Sequence, residues 1–486
     1  MTAGKLAKVF LLLLSAVLFV PPAFADETAT DIKFSYGASL RLRQEIWDNV
    51  VDLNTAQKDR NFFRLRASVW GKLDAGQNWD LYSRITTEPK YYGGPFHNAI
   101  IEGGQTKASH NQYLDPDEVI FDNLYASGKK LLNGKIDIRV GRQDFLSPSD
   151  IYGEGFLLMD GTPGDGSRTF YFNAAKLRFN ITPDNSIDFV YIADSKTDVF
   201  LPSIHPAVSG NVLYVDNKKL LTTSDEHAFM IYSRNKIGQN FTFDPYYIRK
   251  QEAGFTFPVG TIVNPNLILN TIGGRATFQS EGWRAKAEIA RQFGHYEGTP
   301  SDMTGNQRTG LGGYAFGGYK FEKTLYKPEF DLGVVYLSGD NPNKTDRRTA
   351  WDPLFSRNPY WNELYIYTLV NETARRYAGP IPGYWTNMVI YMIKGKVNFT
   401  DKTSLTMTYQ YLTDPDSTSN ATVINSANEF SNTGKVRGSL PTAILNHSFN
   451  KYLDGMLQAE FFSPGSFYNV KTDDAWFIRW QLMFKI

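Results

Sequence analysis

The sequence predicts an all-β fold, a transmembrane antiparallel up-and-down β-barrel of about 18 strands. Three observations predict it: an N-terminal secretion signal, apolar and polar residues that alternate with a period of two, and connections that are alternately short and long. Such alternation is typical of strands whose two faces meet different environments. Helices and closed barrels are the structures that span bilayers, and a mean hydropathy of −0.36 argues against a helical bundle.

The composition narrows the class of protein further. The 486 residues include no cysteine, which excludes disulfides and thiolate chemistry. The 51 basic and 50 acidic residues lack the basic excess of a nucleic-acid-binding protein, so we expect no nucleic-acid partner. Aromatic residues make up 15% of the chain, which suits a barrel with aromatic girdles at both membrane interfaces.

The first 25 residues have the pattern of a secretory signal peptide. Lys5 and Lys8 form the positive region, and an apolar run of 12 residues follows over 9–20, interrupted by Ser15. This run is shorter than the ~20 residues of a spanning helix. Ala23 and Ala25 form a small-residue cleavage site. We therefore expect cleavage after Ala25, which leaves a barrel domain over 26–486 surrounded by outer-membrane lipid.

The candidate strands separate apolar from polar side chains. The first, over 31–47, puts Phe34 and Leu40 on one face and Arg41 and Arg43 on the other. The alternation recurs over 61–73, 79–88, 136–140, 176–181, 283–289 and 405–411. The last strand, over 476–486, resembles the C-terminal signal that barrel insertion machinery recognises, although it ends in Ile486 with the aromatic Phe484 two residues before.

Connection lengths indicate the orientation. Bacterial outer-membrane barrels have an even strand number, short periplasmic turns and longer extracellular loops. Links after even-numbered strands are short and rich in turn-forming Gly, Pro, Asn and Asp, whereas links after odd-numbered strands are mostly long. The short links are 74–78, 182–185, 236–240, 280–282, 400–403 and 450–453, and the long links are 89–117, 144–167, 195–224, 339–383 and 414–436.

Short motifs lie in a characteristic order along nearly the whole mature chain. They are Val140-Gly141-Arg142-Gln143, then 287–294, Lys327-Pro328-Glu329, Ser338-Gly339-Asp340 and Trp351-Asp352-Pro353-Leu354-Phe355. Together these motifs resemble those of the alginate-export family of outer-membrane barrels. The resemblance implies a passive pore with an arginine-rich constriction, through which the type member passes an anionic polyuronate. That exporter narrows its pore with a long turn between its sixteenth and seventeenth strands, whereas here the turn spans only about 450–453.

By this register the lumen has more basic than acidic residues. A basic lumen concentrates anions and disfavours cations, and arginine binds carboxylates bidentately. Arg41, Arg43, Arg64 and Arg66, on adjacent strands, either form an anion track or pair with neighbouring carboxylates and stiffen the wall. The inward basic residues are Arg41, Arg43, Arg64, Arg66, Arg84, Arg139, Lys176, Arg178, Arg275, Arg284, Lys286, Lys394, Lys396 and Arg479. The inward acids include Glu45, Asp80, Glu88, Asp137, Asp188, Glu288 and Glu460.

We therefore predict a passive, cofactor-free outer-membrane channel for anionic solutes or for export of an acidic polysaccharide. One alternative is a general or nutrient-uptake porin, and another is a surface adhesin or receptor that uses the loop over 339–383. Catalysis is disfavoured because no nucleophile motif accompanies any of the six histidines. Loop calcium is a weaker hypothesis because no EF-hand spacing is present. Its candidate ligands are Asp115, Asp117, Glu118, Asp150 and Asp160.

Overall fold

Eighteen antiparallel strands follow one another along the chain in this computed structural model. It describes residues 32–50, 53, 59–93, 100–102, 105–107, 113–116, 118–145, 171–206, 213–216, 224–256, 263–341, 343–355, 361–369, 385–415, 431, 434–469 and 472–486. The first nine strands are β1 (Lys33–Asp48), β2 (Arg60–Gly76), β3 (Trp79–Thr87), β4 (Val119–Lys130), β5 (Ile136–Gln143), β6 (Phe172–Thr182), β7 (Asn185–Asp194), β8 (Glu226–Ile237) and β9 (Phe241–Glu252). The second nine are β10 (Leu267–Ser280), β11 (Trp283–Tyr296), β12 (Gln307–Lys320), β13 (Glu329–Leu337), β14 (Met388–Asn398), β15 (Thr403–Thr413), β16 (Val436–Asn450), β17 (Leu453–Pro464) and β18 (Ala475–Lys485).

The sheet closes on itself. Each strand pairs antiparallel with the next, and β18 returns to pair with β1, where Leu42 lies opposite Leu482. The predicted number of 18 strands is confirmed. Closure removes the exposed strand edges that lipid cannot satisfy. No helix in the described part of the chain is long and apolar enough to cross a membrane.

Short segments outside the wall extend the long connections. They include Lys90–Tyr92, Ile100–Glu102, Gln105–Lys107, Tyr113–Asp115, Ser203–Pro206, Leu213–Asp216, Phe255–Thr256, Val263–Asn264 and Arg347–Arg348, and a helical turn over 364–369. The predicted leader over 1–25 lies outside the described residues.

The two faces of the wall follow the predicted register. Leu40 and Val69 are exposed on the outside, whereas Arg41 and Arg66 point inward and are buried. The turns after even-numbered strands are short, with 321–328 the longest of them. In the turn between β10 and β11, Gly282 has φ +88°, and a Cβ there would come within 2.6 Å of the Lys320 carbonyl oxygen. Only glycine fits this position easily.

The alternation predicts a polar pore, and only part of the interior is polar. Near the ends that carry the long loops, inward residues such as Val190, Ile192, Met230, Val335 and Leu440 are fully buried and apolar. They pack around the connection between β13 and β14, which folds into the barrel. The lumen is therefore a packed apolar core at this end and polar towards the short turns.

Candidate functional site: the lumen

Five inward arginines lie side by side on the first three strands, and we name Arg41, Arg43, Arg64, Arg66 and Arg84 the arginine wall. In the β1–β2 pair Arg41 lies directly opposite Arg66, and Arg43 lies opposite Arg64. Like charges placed directly opposite one another in a sheet destabilise it unless carboxylates intervene. The sequence prediction that the four arginines of β1 and β2 are neighbours agrees with the structure.

Glu88, directly after β3, lies between these arginines. Its Oε1 is 2.8 Å from Arg41 Nη2 and 2.7 Å from Arg64 Nε. The Glu88 side chain is fully buried, and the two arginines are nearly so. A buried charge is tolerated when it is paired and hydrogen-bonded. Glu88 therefore neutralises part of the arginine wall.

Two further carboxylates extend this compensation to Arg66, Arg84 and Arg43. Asp122 on β4 accepts from Arg84 Nε at 2.9 Å and lies 3.5 Å from Arg66 Nη2. Glu45 on β1 lies 3.2 Å from Arg43 Nη1. Both carboxylates are fully buried. The arginines predicted to form an anion track thus belong to an ion-pair network in the wall, which was the alternative interpretation of the same residues.

Arg479 links the wall to the loop that enters the lumen. Its Nη2 donates to Glu45 at 2.8 Å, and its Nη1 lies 2.9 Å from Glu363 of that loop. Arg479 is almost completely buried. It therefore acts in this structure as a bridge between barrel and loop.

The remaining predicted cations of β5, β6 and β10 also have partners. Arg178 forms an ion pair with Asp188 at 2.6 Å. The Arg139 guanidinium lies 4.9 Å from the Tyr125 ring, and the Lys176 ammonium lies 5.6 Å from the Phe145 ring. Arg275 lies opposite Glu288 and Asp244 in the sheet.

A different basic surface lies on β11 and β14, and we name Lys286, Lys394 and Lys396 the lysine wall. Lys394 and Lys396 occupy consecutive inward positions of β14, opposite Asp331 and Glu329 of β13. In the part of the chain that the structure describes, neither Lys394 nor Lys396 forms an ion pair. The Lys286 ammonium lies 5.2 Å from the Phe316 ring.

The carboxylates opposite these lysines are engaged by Arg284. The Arg284 guanidinium donates to Asp331 at 2.8 and 2.7 Å and to Glu329 at 2.6 Å. Arg284 crosses β12 at Gly318, where a Cβ would overlap the Asp331 carboxylate. The glycine thus lets one arginine hold two carboxylates, and together with Lys394 and Lys396 the group keeps an excess of one positive charge.

These residues line a cavity of about 770 Å³ in the polar part of the lumen. Six cationic and four carboxylate side chains line it, so its charge is positive. The cations are Arg43, Arg284, Lys286, Lys394, Lys396 and Arg479, and the carboxylates are Glu329, Asp331, Glu363 and Glu460.

The connection over 338–387, which we name the lumen loop, bounds this cavity on the side of the long loops. Its first anchor is on β11 and β12. The Trp351 ring packs where a Cβ of Gly312 would lie, 2.6 Å from a ring carbon. The backbone of Asp352 exchanges hydrogen bonds with the Gln292 amide at 2.6 and 2.9 Å. Lys250 on β9 donates to the Leu354 carbonyl at 3.1 Å.

The second anchor lies across the lumen, over 361–369. Gln410 on β15 exchanges hydrogen bonds with Asn362 and with the Trp361 carbonyl. Glu460 on β17 accepts backbone N–H bonds from the start of the helical turn, the shortest from Leu364 at 2.8 Å. The lumen loop therefore crosses the interior and is held at both ends by buried polar contacts.

Comparison with known proteins agrees with this architecture. The sequence profile described as Alginate export matches residues 211–477, more than half of the chain. This chain belongs to the alginate export family. A comparison with curated protein sequences gives no match.

Several β-barrels of known structure share the fold of this chain. Acinetobacter baumannii OccAB4 is 11% identical with a TM-score of 0.53, and a BenF-like porin from Pseudomonas fluorescens Pf-5 is 9% identical with 0.52. Pseudomonas aeruginosa OccK2 (OpdF), solved in complex with glucuronate, is 8% identical with 0.51. Each comparison covers 93% of this chain and 98% of the other. The family and the fold together show an outer-membrane β-barrel channel.

The alginate export motifs that the sequence singled out have structural roles in this chain. Ser338 Oγ donates to the Thr349 carbonyl at 2.7 Å, and Asp340 accepts the N–H groups of Thr349 and Ala350. These bonds fold the first turn of the lumen loop, which includes Gly339, and Pro353 follows this turn. Asp352 caps its own turn by accepting the Leu354 N–H at 2.8 Å.

The motif at the end of β5 fixes a different loop. Arg142 donates to Asp198 at 2.6 Å and lies 4.0 Å from the Tyr171 ring. Gly141 has φ +129°, and a Cβ there would overlap the Leu124 carbonyl oxygen. Gln143 is buried and donates to the Ala174 carbonyl at 3.0 Å.

Several residues important to the lumen were not among the predicted site residues. Asp122, Glu363, Gln410 and Trp351 compensate or anchor inward groups, and of these Trp351 stood in a family motif. Among the calcium candidates Asp117, Asp150 and Asp160 lie outside the described residues. In the described ranges, no group of three or more His, Asp or Glu side chains is placed to hold a metal ion.

Proposed function

We propose that this channel prefers anions and that its cargo carries carboxylates, as uronate sugars and acidic polysaccharides do. The observation that carries the proposal is the pair Lys394 and Lys396. Their register partners Glu329 and Asp331 are held by Arg284, so the two ammonium groups face the cavity and form no ion pair with a described residue.

The electrostatics of the cavity support this proposal. Charge of one sign in a water-filled cleft with low-dielectric walls raises the local concentration of counter-ions. Rings and patches of Lys and Arg select anions in pores by the same effect. The arginine wall contributes less because its guanidinium groups are held in ion pairs with the buried carboxylates Glu88, Asp122 and Glu45.

The size of the cavity and its lining suit a sugar acid. A volume of about 770 Å³ lies within the ~300–1,000 Å³ of small-molecule sites. Threonine hydroxyls at Thr406, Thr408 and Thr442 line the same cavity and can hydrogen-bond to sugar hydroxyls. A barrel of similar fold was solved with glucuronate, a sugar that bears one carboxylate.

The position of the lumen loop gives no support to the adhesin alternative. Its described part contacts inward residues of β9, β11, β12, β15 and β17 instead of extending outward. A loop held in the lumen is placed to restrict passage through the channel. It is not placed to bind a partner outside the barrel.

The test is the reversal potential of the purified channel in a planar bilayer under a salt gradient. We expect an anion preference, and block of the current by added polyuronate. A neutral polysaccharide of equal length is the matched control and should block less. Equal block by both polymers indicates a general porin, and a cation preference overturns the proposal.

A further inference from the structure

The outer surface of the barrel carries two arginines among otherwise apolar and uncharged rows. They are Arg249 on β9 and Arg291 on β11, both on the outward face by register. Away from the strand ends, the other outward positions in the described strands hold no charged side chain exposed to lipid. Arg142 also lies on the outward side, but Asp198 pairs with it and covers it. Two neighbouring arginines on the lipid-facing side of the barrel are unfavourable unless a negatively charged group binds them.

The register places the two arginines around a single strand. Arg249 lies opposite Asn270, and Arg291 lies opposite Ile272, which are consecutive outward positions of β10. Strands two apart in a sheet are about 10 Å apart, so both guanidinium groups can approach one bulky headgroup. Arg291 is exposed, and in the described part of the chain it has no ion-pair partner.

Neighbouring polar groups hold Arg249 in place. Arg249 Nη1 donates to Asn270 Oδ1 at 3.3 Å, and the Tyr247 hydroxyl donates to the same oxygen at 2.7 Å. Asn270 Nδ2 in turn donates to the Phe293 carbonyl at 3.3 Å. Three polar side chains thus form a hydrogen-bonded group on a wall that elsewhere faces lipid.

The patch continues outward with two histidines. His227 on β8 and His295 on β11 occupy one row, joined across β9 and β10 by Gln251 and Ile268. Both histidines are exposed, and His227 lies 3.3 Å from the Tyr191 hydroxyl. The patch therefore extends from the arginines towards the end that carries the long loops.

Its depth corresponds to the outer leaflet. Arg249 and Arg291 each lie eight residues beyond the first outward aromatic residue of their strand, Phe241 and Trp283. At ~3.3 Å per residue and ~40° tilt this is about 20 Å, and the apolar band is ~25 Å tall. Arginine near the edge of the band extends its guanidinium to the headgroup level.

We propose that Arg249, Arg291, His227 and His295 form a site for the phosphate group of a glycolipid in the outer leaflet. Guanidinium binds phosphate bidentately, and a phosphate supplies the negative charge that the protein surface lacks here. The site lies on the outside of the barrel and is independent of the cargo that the lumen passes.

The test measures binding of bisphosphorylated lipid A to the full-length barrel, purified in detergent, by native mass spectrometry. Near a membrane surface each basic residue adds to the affinity for anionic lipid. The Arg249→Gln/Arg291→Gln variant should therefore bind lipid A about 30-fold more weakly than the wild type does. Arg249→Lys/Arg291→Lys keeps the charge and should retain most of the binding. Dephosphorylated lipid A should bind the wild type as weakly as the Gln variant binds lipid A.

The matched control is Lys394→Gln/Lys396→Gln, which removes the same charge from the lumen and should leave lipid A binding unchanged. Equal lipid A binding by wild type and Arg249→Gln/Arg291→Gln overturns the proposal. Competition by millimolar inorganic phosphate as effective as lipid A itself overturns the assignment to a lipid. If the wild type is a dimer that dissociates in Arg249→Gln/Arg291→Gln while lipid A binding is unchanged, the proposal is wrong. The patch then binds a second copy of this chain. Retained single-channel conductance shows that the variants are folded.

Discussion

The arginine wall and the lysine wall look alike in a list of inward basic residues, but their surroundings differ. In the arginine wall, the fully buried Glu88 binds Arg41 and Arg64, so part of the positive charge is neutralised inside the protein. In the lysine wall, Arg284 engages the carboxylates, and Lys394 and Lys396 face the cavity. We therefore expect that the position of the carboxylates, more than the number of cations, decides which surface attracts anions.

The largest expected effect is on stability, at Glu88. Glu88→Gln leaves Arg41 and Arg64 without their shared carboxylate in a buried site. Removing one partner of a buried ion pair costs about 4 kcal/mol. Urea unfolding in phospholipid vesicles should show this loss. The control is Glu322→Gln, which removes a solvent-exposed ion pair with Lys320 and should leave the unfolding midpoint near the wild-type value. Equal effects of the two variants would contradict a structural role for the arginine wall.

The next effect tests the lumen loop that joins the two walls. Trp351→Ala removes a buried ring that packs on Gly312, at a cost of about 3 kcal/mol. With this anchor weakened, the single-channel conductance should rise because the loop no longer holds its position across the lumen. Unchanged conductance in a correctly folded variant would show that the loop does not restrict ion flow.

The smallest effect on stability is expected in the lysine wall. Asp331→Asn removes one carboxylate from the partly exposed group around Arg284, and should cost about 1 kcal/mol or less. It adds one positive charge to the cavity, so the anion preference should increase. A stability loss as large as that of Glu88→Gln would remove the distinction between the two walls.

The sequence predicted the barrel well because period-two alternation is a local signal. The strand count and the inward positions of Arg41, Arg64 and Arg284 follow from that period alone. The pairing of these arginines was left open, since Glu88 and Asp122 reach them through strand register and not through sequence proximity.

The inserted loop could not be predicted from local patterns. Its anchors join Asp352 to Gln292 and Asn362 to Gln410, residues 60 and 48 positions apart. One signal was present: over Ile187–Ile192 both faces of β7 are apolar, apart from Asp188. A strand that is apolar on both faces is covered on both faces. Applied here, that rule indicates that packed protein fills the lumen at this level.

We propose that Lys394 and Lys396, and not the arginine wall, set the selectivity of the channel. This claim is tested most directly by reversal potentials of the wild type, Lys394→Gln/Lys396→Gln and Arg41→Gln/Glu88→Gln under one salt gradient. Removing the two lysines should bring the reversal potential to about zero. Removing the Arg41–Glu88 ion pair should leave it near the wild-type value. An unchanged potential without the lysines, or its loss without Arg41 and Glu88, would contradict the claim.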